Sequence, residues 1–228
     1  MYPYYIFKIK SFDKANICFN TNYQLGIDSV ENDRPNTSFQ KRAYQILEGF
    51  TKYDFSCELE QRIKGRAYGE NRIFEKFILI KEDVFYLSEE SDILIMSSNK
   101  KVFNKFYKDM EKVEKYSLDK IDIDFQDIVK NIKSLGIQSV WLGRLPDEFN
   151  ITTLSMYGVN IEDSTKYTQL LKSGAEIKNL SLIYEYEGNQ ERIMITKDGG
   201  VILYRNMDES DALLLIEDVY KNMLTPNS

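Results

Sequence analysis

Short segments in which apolar and polar residues alternate are spread along much of this chain. Such alternation predicts strands that are buried on one face. Many of these segments fall into two strand-rich meanders, residues 72–98 and residues 177–206. In the first meander, turns are predicted at Glu82-Asp83 and at Glu89-Glu90-Ser91. Further strands are predicted at 4–10, 53–63, 137–145 and 152–159.

Apolar residues three and four positions apart mark a second kind of segment, which predicts amphipathic helices. A polar residue that can cap the first turn stands at the start of each, for example Asn99 or Ser98, Asp124, and Asp163 or Ser164. The predicted helices cover 38–50, 100–115, 125–135, 164–173 and 209–224.

The two meanders match each other without gaps, since Val84–Met96 aligns with Arg192–Tyr204 at an offset of 108 residues. The order helix, three strands, helix also recurs. This predicts an α+β fold of two similar halves, each a mostly antiparallel β-meander with flanking helices. A tandem duplication would arrange them as one saddle-like sheet or as two lobes; convergence of common hairpin units is the alternative. The predicted domains are 1–118 and 119–228.

The composition limits the catalytic and metal-binding sites that the chain can form, because it has no histidine. Ser-His-Asp and Cys-His catalytic arrangements and histidine-ligated metals are therefore excluded. Cys18 and Cys57 have no metal-binding spacing and are expected to be reduced thiols. We expect a cytoplasmic protein without membrane contact, since neither a signal-peptide pattern nor a long apolar run is present. No glycine-rich phosphate loop is present, so no cofactor is expected.

Charge is divided unevenly between the two halves. Residues 1–118 hold 19 Lys and Arg against 18 Asp and Glu, whereas residues 119–228 hold 11 against 18. The net charges are +1 and −7, which together give the −6 of the whole chain. Because an acidic surface repels nucleic acid at long range, any contact with phosphates is expected from the first half.

A stripe of lysines on the predicted helix 100–115 is the candidate nucleic-acid site. Its members recur at steps of three and four residues and share one face: Lys101, Lys105, Lys108, Lys112 and Lys115. Such a stripe can follow the phosphates of a nucleic acid. Asp109, Glu111 and Glu114 lie beside it, so the alternative is an ordinary solvated face with neutralising ion pairs.

A metal-dependent nuclease is the one hydrolytic function considered that needs no histidine. Asp163, Glu176 and Lys178 have the spacing of the restriction-type nuclease core, in which acids hold Mg²⁺ and the lysine orients the attacking water. Mg²⁺ would be a cofactor only for this function. That core requires adjacent strands, however, whereas a helix is predicted between Asp163 and Glu176. Asp163 is alternatively explained as a helix cap.

The single tryptophan marks a candidate protein-binding site. Trp141 lies within the predicted strand 137–145, near the turn that Pro146 begins, and Arg144 follows three residues later. Exposed Trp and Arg side chains are enriched at the energetic centres of protein interfaces. The alternative is that Trp141 packs in the core.

These features favour a non-enzymatic binding or regulatory protein that acts through protein–protein contacts. A nucleic-acid-binding protein that uses the first half is the first alternative, and an Mg²⁺-dependent nuclease is the second. The high content of Lys, Asn, Ile and Tyr is typical of an AT-rich coding region, which suggests a phage, a mobile element or a phage-defence locus.

Overall fold

A computed structural model describes residues 2–16, 18–21, 35–42, 47–66, 69, 73–131, 136–146 and 150–225. The described chain is mainly antiparallel sheet with a few helices. It forms two compact units, residues 7–119 and residues 120–228 together with residues 1–6. The first strand, β1 (Tyr2–Ser11), therefore contributes its beginning to one unit and its end to the other.

The unit of residues 7–119 is built on an antiparallel meander. Its strands, in order, are β2 (Cys18–Asn20), β3 (Thr37–Lys41), β4 (Phe50–Gln61), β7 (Phe77–Ser88) and β8 (Ile93–Ser97). Between β4 and β7 the chain forms a pair of two-residue strands, β5 (Gly65–Arg66) and β6 (Ile73–Phe74). After β8 come helix α1 (Lys100–Met110) and strand β9 (Ser117–Lys120).

Aromatic side chains form the core of this unit, because alternate residues of β3, β4 and β7 point to one buried face. Phe85 of β7 is fully buried and contacts five other rings. It stacks on Tyr53 of β4 with ring centroids 4.8 Å apart. Phe7 of β1 stacks on Phe103 of α1 at 4.3 Å, which holds the helix against the sheet.

The unit of residues 120–228 is built on five further antiparallel strands. They are β10 (Ile137–Gly143), β11 (Thr153–Tyr157), β12 (Glu176–Tyr186), β13 (Asn189–Thr196) and β14 (Gly200–Leu203). Their order in the sheet is β11-β10-β12-β13-β14, and the start of β1 pairs with β14. The described helices are α2 (Phe125–Asn131), α3 (Thr165–Lys172) and α4 (Glu209–Val219), which continues as a π-helical turn, Tyr220–Leu224.

The predicted helix over residues 38–50 is wrong. Thr37–Lys41 is strand β3 and Phe50 begins β4, while residues 43–46 lie outside the described residues. The apolar residues of this segment fit a helical stripe, but Thr37 and Phe39 also fit an alternating pattern. Pairing of β3 with β4 decides between the two patterns, because it buries both of these side chains on one face.

The predicted turn at Glu82-Asp83 is also wrong. Both residues lie inside β7, which runs for 12 residues and pairs along its whole length with β4. The strand accommodates the two charges because Glu82 is exposed and Asp83 accepts a 2.5 Å hydrogen bond from Ser98 Oγ. The first meander therefore has one long strand where two were predicted, and its turn at residues 89–91 is confirmed.

The structure does not show a duplication of the two halves. In the hairpin of β7 and β8, Leu87 lies opposite Leu94, whereas in the hairpin of β13 and β14, Ile195 lies opposite Val201. The gapless alignment would place Leu87 opposite Ile93, so the two registers differ by one residue. A shift of one residue exchanges the two faces of a strand. The strand orders differ as well. In the unit of residues 7–119 the outermost strand is β2, the first strand of its meander, whereas in the other unit the outermost strand is β11, which follows β10 in the chain.

Apart from residues 38–50, the predicted helix starts agree closely with the structure. The Asn99 side chain accepts hydrogen bonds from the Lys101 and Val102 amides at 3.0 and 3.2 Å. Asp124 caps α2 and Ser164 caps α3 in the same way. Helix α1 is shorter than predicted and ends at Met110. None of the described helices has the length and apolarity that crossing a membrane requires.

Three buried tyrosines provide a test of these contacts. The Tyr53 and Tyr167 hydroxyls have no hydrogen-bond partner in the described part of the chain, and burial raises the pKa of each to about 12. The Tyr184 hydroxyl donates a 2.5 Å hydrogen bond to Asp218 of α4. We expect Tyr184→Phe to lower the free energy of unfolding by about 1.5–3 kcal/mol, and Tyr53→Phe or Tyr167→Phe to lower it by less than about 1 kcal/mol or to raise it. Urea unfolding measures all three, and the opposite ranking would contradict the assigned bonding.

Candidate functional site

Trp141 lies on β10, one strand from the edge of its sheet. Its cross-strand neighbours are Ser155 on β11 and Asn179 on β12, and Ser139 and Gly143 precede and follow it on the same face of β10. All four neighbours are small or polar, so none of them covers the indole ring. Trp141 is 45% exposed, and the alternative that it packs in the core is therefore wrong.

Further exposed apolar residues lie along the edge strand β11. Tyr157 is opposite Ser139, on the same face as Trp141, and is 70% exposed. Ile151 and Val159, just before and just after β11, are exposed as well. Clustered exposed apolar side chains are typical of interaction surfaces. We call Trp141, Tyr157 and the backbone edge of β11 the Trp141 surface.

A cluster of charged side chains lies at the end of β10, where Gly143 pairs with Glu176 of β12. The Oε1 atom of Glu176 accepts a 2.6 Å hydrogen bond from Arg144 Nη1. Its Oε2 atom lies 2.7 Å from Lys178 Nζ and 3.6 Å from Lys197 Nζ. The Arg144 side chain is 76% exposed, so much of its guanidinium group still faces solvent.

This cluster is positive, although the half of the chain that contains it is acidic. Among the described residues, one carboxylate, that of Glu176, forms ion pairs with three cations, whereas residues 119–228 have a net charge of −7. The hydrogen bond from Lys178, together with the charges of Arg144 and Lys197, lowers the pKa of Glu176. Glu176 is therefore ionised at neutral pH, and the four described side chains of the cluster, three cations and one carboxylate, have a net charge of +2. One of these cations, Arg144, follows Trp141 by three residues in the chain.

Local backbone features help to bring the cations together. Arg144 has a φ of 49°, a left-handed conformation that residues other than glycine rarely adopt. The side chain at this position is the one that pairs with Glu176. At Gly143, an added Cβ would lie 2.7 Å from Cε of Lys178, so the missing side chain leaves room for the lysine to cross β10.

The three residues of the nuclease hypothesis are only partly brought together. Glu176 and Lys178 are in contact, but Asp163 ends a short 3₁₀ turn, Ile161–Asp163, and α3 separates it from β12. Within the described ranges, no group of three or more His, Cys, Asp or Glu side chains is arranged to hold a metal ion. The carboxylate of Glu176 is occupied by three cations instead. The nuclease hypothesis stays a prediction.

Most of the lysine stripe is engaged in ion pairs. Lys105 and Lys112 both pair with Asp109, the latter at 2.7 Å, and Lys115 lies 3.4 Å from Asp13. Asp109 is only 1% exposed and also accepts a 2.6 Å hydrogen bond from the Thr37 hydroxyl. Two lysines of the stripe remain without an ion pair among the described residues, Lys101 and Lys108. Nucleic-acid binding through this helix stays a prediction.

A cavity of about 940 Å³ lies against the polar face of the meander in the unit of residues 7–119. Directly paired residues of neighbouring strands form part of its wall, namely Asn20, Ser38, Ser56 and Glu82. Arg42, the one cation in the described lining, is 2.7 Å from the Asp54 carboxylate. The cavity therefore offers hydrogen-bonding groups, but its cation is already committed to a carboxylate.

Two residues of the Trp141 region were missed from the sequence. Tyr157 had a local signal, because Thr153, Ser155 and Tyr157 alternate with apolar residues and so share one exposed face. Lys197 had no local signal in the sequence, because only the pairing of β12 with β13 brings it near Glu176.

Comparison with protein-family models and with curated proteins finds no match to this chain. Its function therefore has to be inferred from the chemistry of its surfaces.

Proposed function

We propose that this protein is a non-enzymatic binding protein that recognises an extended, acidic segment of a partner protein at the Trp141 surface. The observation that carries the proposal is the exposure of the single tryptophan, beside an edge strand and next to a positive cluster. An aromatic side chain left in solvent costs free energy that burial against a partner recovers.

The edge of β11 supports an extended conformation for the partner. β11 is the outermost strand of its sheet and pairs with β10 along one edge, and no strand of the described chain pairs with the other. Such an edge presents backbone donors and acceptors to which an extended segment can add as a further strand. Backbone pairing would supply affinity, while the side chains above the strand would supply selectivity.

The side chains near this edge support an acidic, partly apolar partner. Trp and Arg are the residue types most enriched at interface hot spots, and Trp141 and Arg144 are three residues apart. The excess positive charge of the Glu176 cluster attracts carboxylates, and steering of this kind raises the rate of association at low salt. A partner with Asp or Glu next to apolar residues satisfies both features.

The test is a selection of peptides from a random displayed library against the full-length protein. We expect the selected peptides to combine Asp or Glu with apolar residues and to bind with an affinity that falls as salt is added. Trp141→Ala should weaken the binding of a selected peptide about tenfold or more, because truncating a hot-spot residue removes its buried contacts. Arg144→Glu should weaken it as well, by reversing a charge that the peptide meets.

Leu214→Ala provides the matched control, because Leu214 is an exposed apolar residue, 40% exposed, on α4 of the same unit. This variant should bind the peptide as the wild type does. Selected peptides without acidic residues, or an affinity that survives Trp141→Ala, would contradict the proposal.

A further inference from the structure

Strands β4 and β7 extend together beyond their neighbours as a two-stranded ribbon. β3 pairs with residues 53–57 of β4, and β8 pairs with residues 84–87 of β7. Pairing of β4 with β7 continues past both, as far as Gln61 opposite Phe77. We call residues 58–61 and 76–83 the β4–β7 arm. No strand of the described chain pairs with the outer edge of β7 at residues 77–83.

The arm exposes large apolar side chains. Ile80 is 57% exposed and Ile78 is 36% exposed, and both lie on one face, opposite Glu58 and Glu60 of β4. A two-stranded ribbon is marginally stable in water on its own. An exposed apolar edge strand is also a template for pairing with another chain. Both facts indicate that the arm is covered when the protein is assembled.

We infer that the outer edge of β7 pairs with the same edge of a second copy of this chain, antiparallel and centred on Leu79. In this register Ile78 of each copy lies opposite Ile80 of the other, so four isoleucines form one apolar stripe. On the same face, Lys76 of each copy lies opposite Glu82 of the other. Opposite charges facing each other across strands stabilise a pairing, and the two-fold axis makes each contact occur twice.

Charge complementarity selects this register over its neighbours. Centred on Ile80, the pairing would place Ile78 opposite Glu82 and leave Lys76 without an acidic residue across from it. Centred on Ile78, it would place Lys76 opposite Ile80. Of these three registers, only the one centred on Leu79 sets apolar against apolar and cation against carboxylate on the face that carries Ile78 and Ile80.

Sedimentation velocity of the full-length protein tests the inference. From micromolar to submillimolar concentration, we expect the mass to rise from 26.8 kDa to twice that value. Ile80→Lys should raise the dimer dissociation constant at least about 30-fold, because two copies of a buried apolar side chain are replaced by charges. Leu214→Lys, at an exposed leucine of α4, is the control and should dimerise as the wild type does.

A charge exchange tests the register itself. Lys76→Glu alone and Glu82→Lys alone should each be monomeric, because each places like charges opposite each other at both ends of the stripe. A mixture of these two variants should form a heterodimer, since each Glu at positions 76 and 82 then faces a Lys. Because Lys76 and Glu82 are both exposed, neither variant is expected to disturb folding.

A wild type that stays monomeric at all these concentrations would overturn the inference. So would a dimer that Ile80→Lys leaves intact, or single charge variants whose mixture stays monomeric. Circular dichroism of each variant confirms that it is folded before its mass is interpreted.

Discussion

Phe85→Ala is expected to lower the free energy of unfolding by about 3–5 kcal/mol. The Phe85 ring is fully buried, stacks on Tyr53 at 4.8 Å, and contacts Phe39 and Phe106 at 5.3 and 5.4 Å. Truncation removes these contacts together with the apolar burial. It also leaves a cavity that the surrounding rings, held largely by β3, β4 and α1, fill only in part. Few single changes in this chain should have a larger effect.

Urea unfolding followed by far-ultraviolet circular dichroism measures the change. Trp141 fluorescence is less suitable, because Trp141 lies in the other unit. Phe77→Ala is the control on the same strand, since Phe77 is 36% exposed and should cost less than half as much. The comparison is made in dilute protein, at concentrations at which the β4–β7 arm is not expected to pair with a second copy of the chain. Equal losses for the two variants would contradict the assigned core.

Asp109→Asn is expected to lower the free energy of unfolding by about 3 kcal/mol, near the lower end of the range for breaking a buried ion pair. Asp109 is 1% exposed, and its carboxylate is bonded to Lys105, Lys112 and the Thr37 hydroxyl. Asparagine keeps the shape but leaves both lysines without their charge partner. The loss falls at the lower end because Lys105 and Lys112 are themselves partly exposed and can be rehydrated.

Lowering the pH should reduce the difference in the free energy of unfolding between Asp109→Asn and wild type. Burial alone raises the pKa of Asp109, but the hydrogen bonds from Lys105, Lys112 and Thr37 outweigh it and lower the pKa below the ordinary value of 3.8. A carboxyl whose pKa is lower in the folded state stabilises the fold above its ordinary pKa. That contribution is lost as the pH falls through the folded-state value. The stability gap should therefore be constant from neutral pH to about pH 5 and shrink below about pH 4.

Asp13→Asn is the matched control for Asp109. Asp13 also pairs with a lysine of the predicted stripe, Lys115, which follows the end of α1, but at 3.4 Å and with the lysine side chain 62% exposed. An exposed pair of this kind contributes about 0–1 kcal/mol. Unfolding measured at several pH values compares the two variants. If Asp109→Asn costs no more than Asp13→Asn, the buried charge cluster does not stabilise the fold as described.

Local features of the sequence predicted helix starts and most strands, because the forces that set them are themselves local. Asn99, Asp124 and Ser164 cap helices through hydrogen bonds to amides two or three residues away. Residues 38–50 were misjudged because their apolar spacing fits both a helix and a strand. Pairing with β4 decides the outcome there, and it involves residues that are distant in sequence. Glu82-Asp83 was misjudged because two adjacent charges look like a turn until a long partner strand is known.

In the candidate site as well, local features could be predicted from the sequence, whereas contacts between residues distant in sequence could not. Trp141 and Arg144 were recognisable because they are three residues apart in the chain and of types that interfaces favour. Glu176 and Lys178 were singled out for a different chemistry, and only the pairing of β10 with β12 brings them to Arg144, 32 residues away in sequence from Glu176. The ion pairs of Asp109 were anticipated from helical spacing. Its burial was not anticipated, because that depends on Thr37 of strand β3, which is distant in sequence.

The fluorescence of Trp141 tests the proposed binding surface most directly, because this residue is the single tryptophan of the chain. An acidic peptide obtained by selection, itself free of tryptophan, is titrated into the full-length protein while calorimetry follows binding independently. The proposal predicts that the emission of Trp141 shifts to shorter wavelength and that quenching by acrylamide falls as the peptide saturates its site. Saturable binding of the peptide with unchanged emission and unchanged quenching would contradict it.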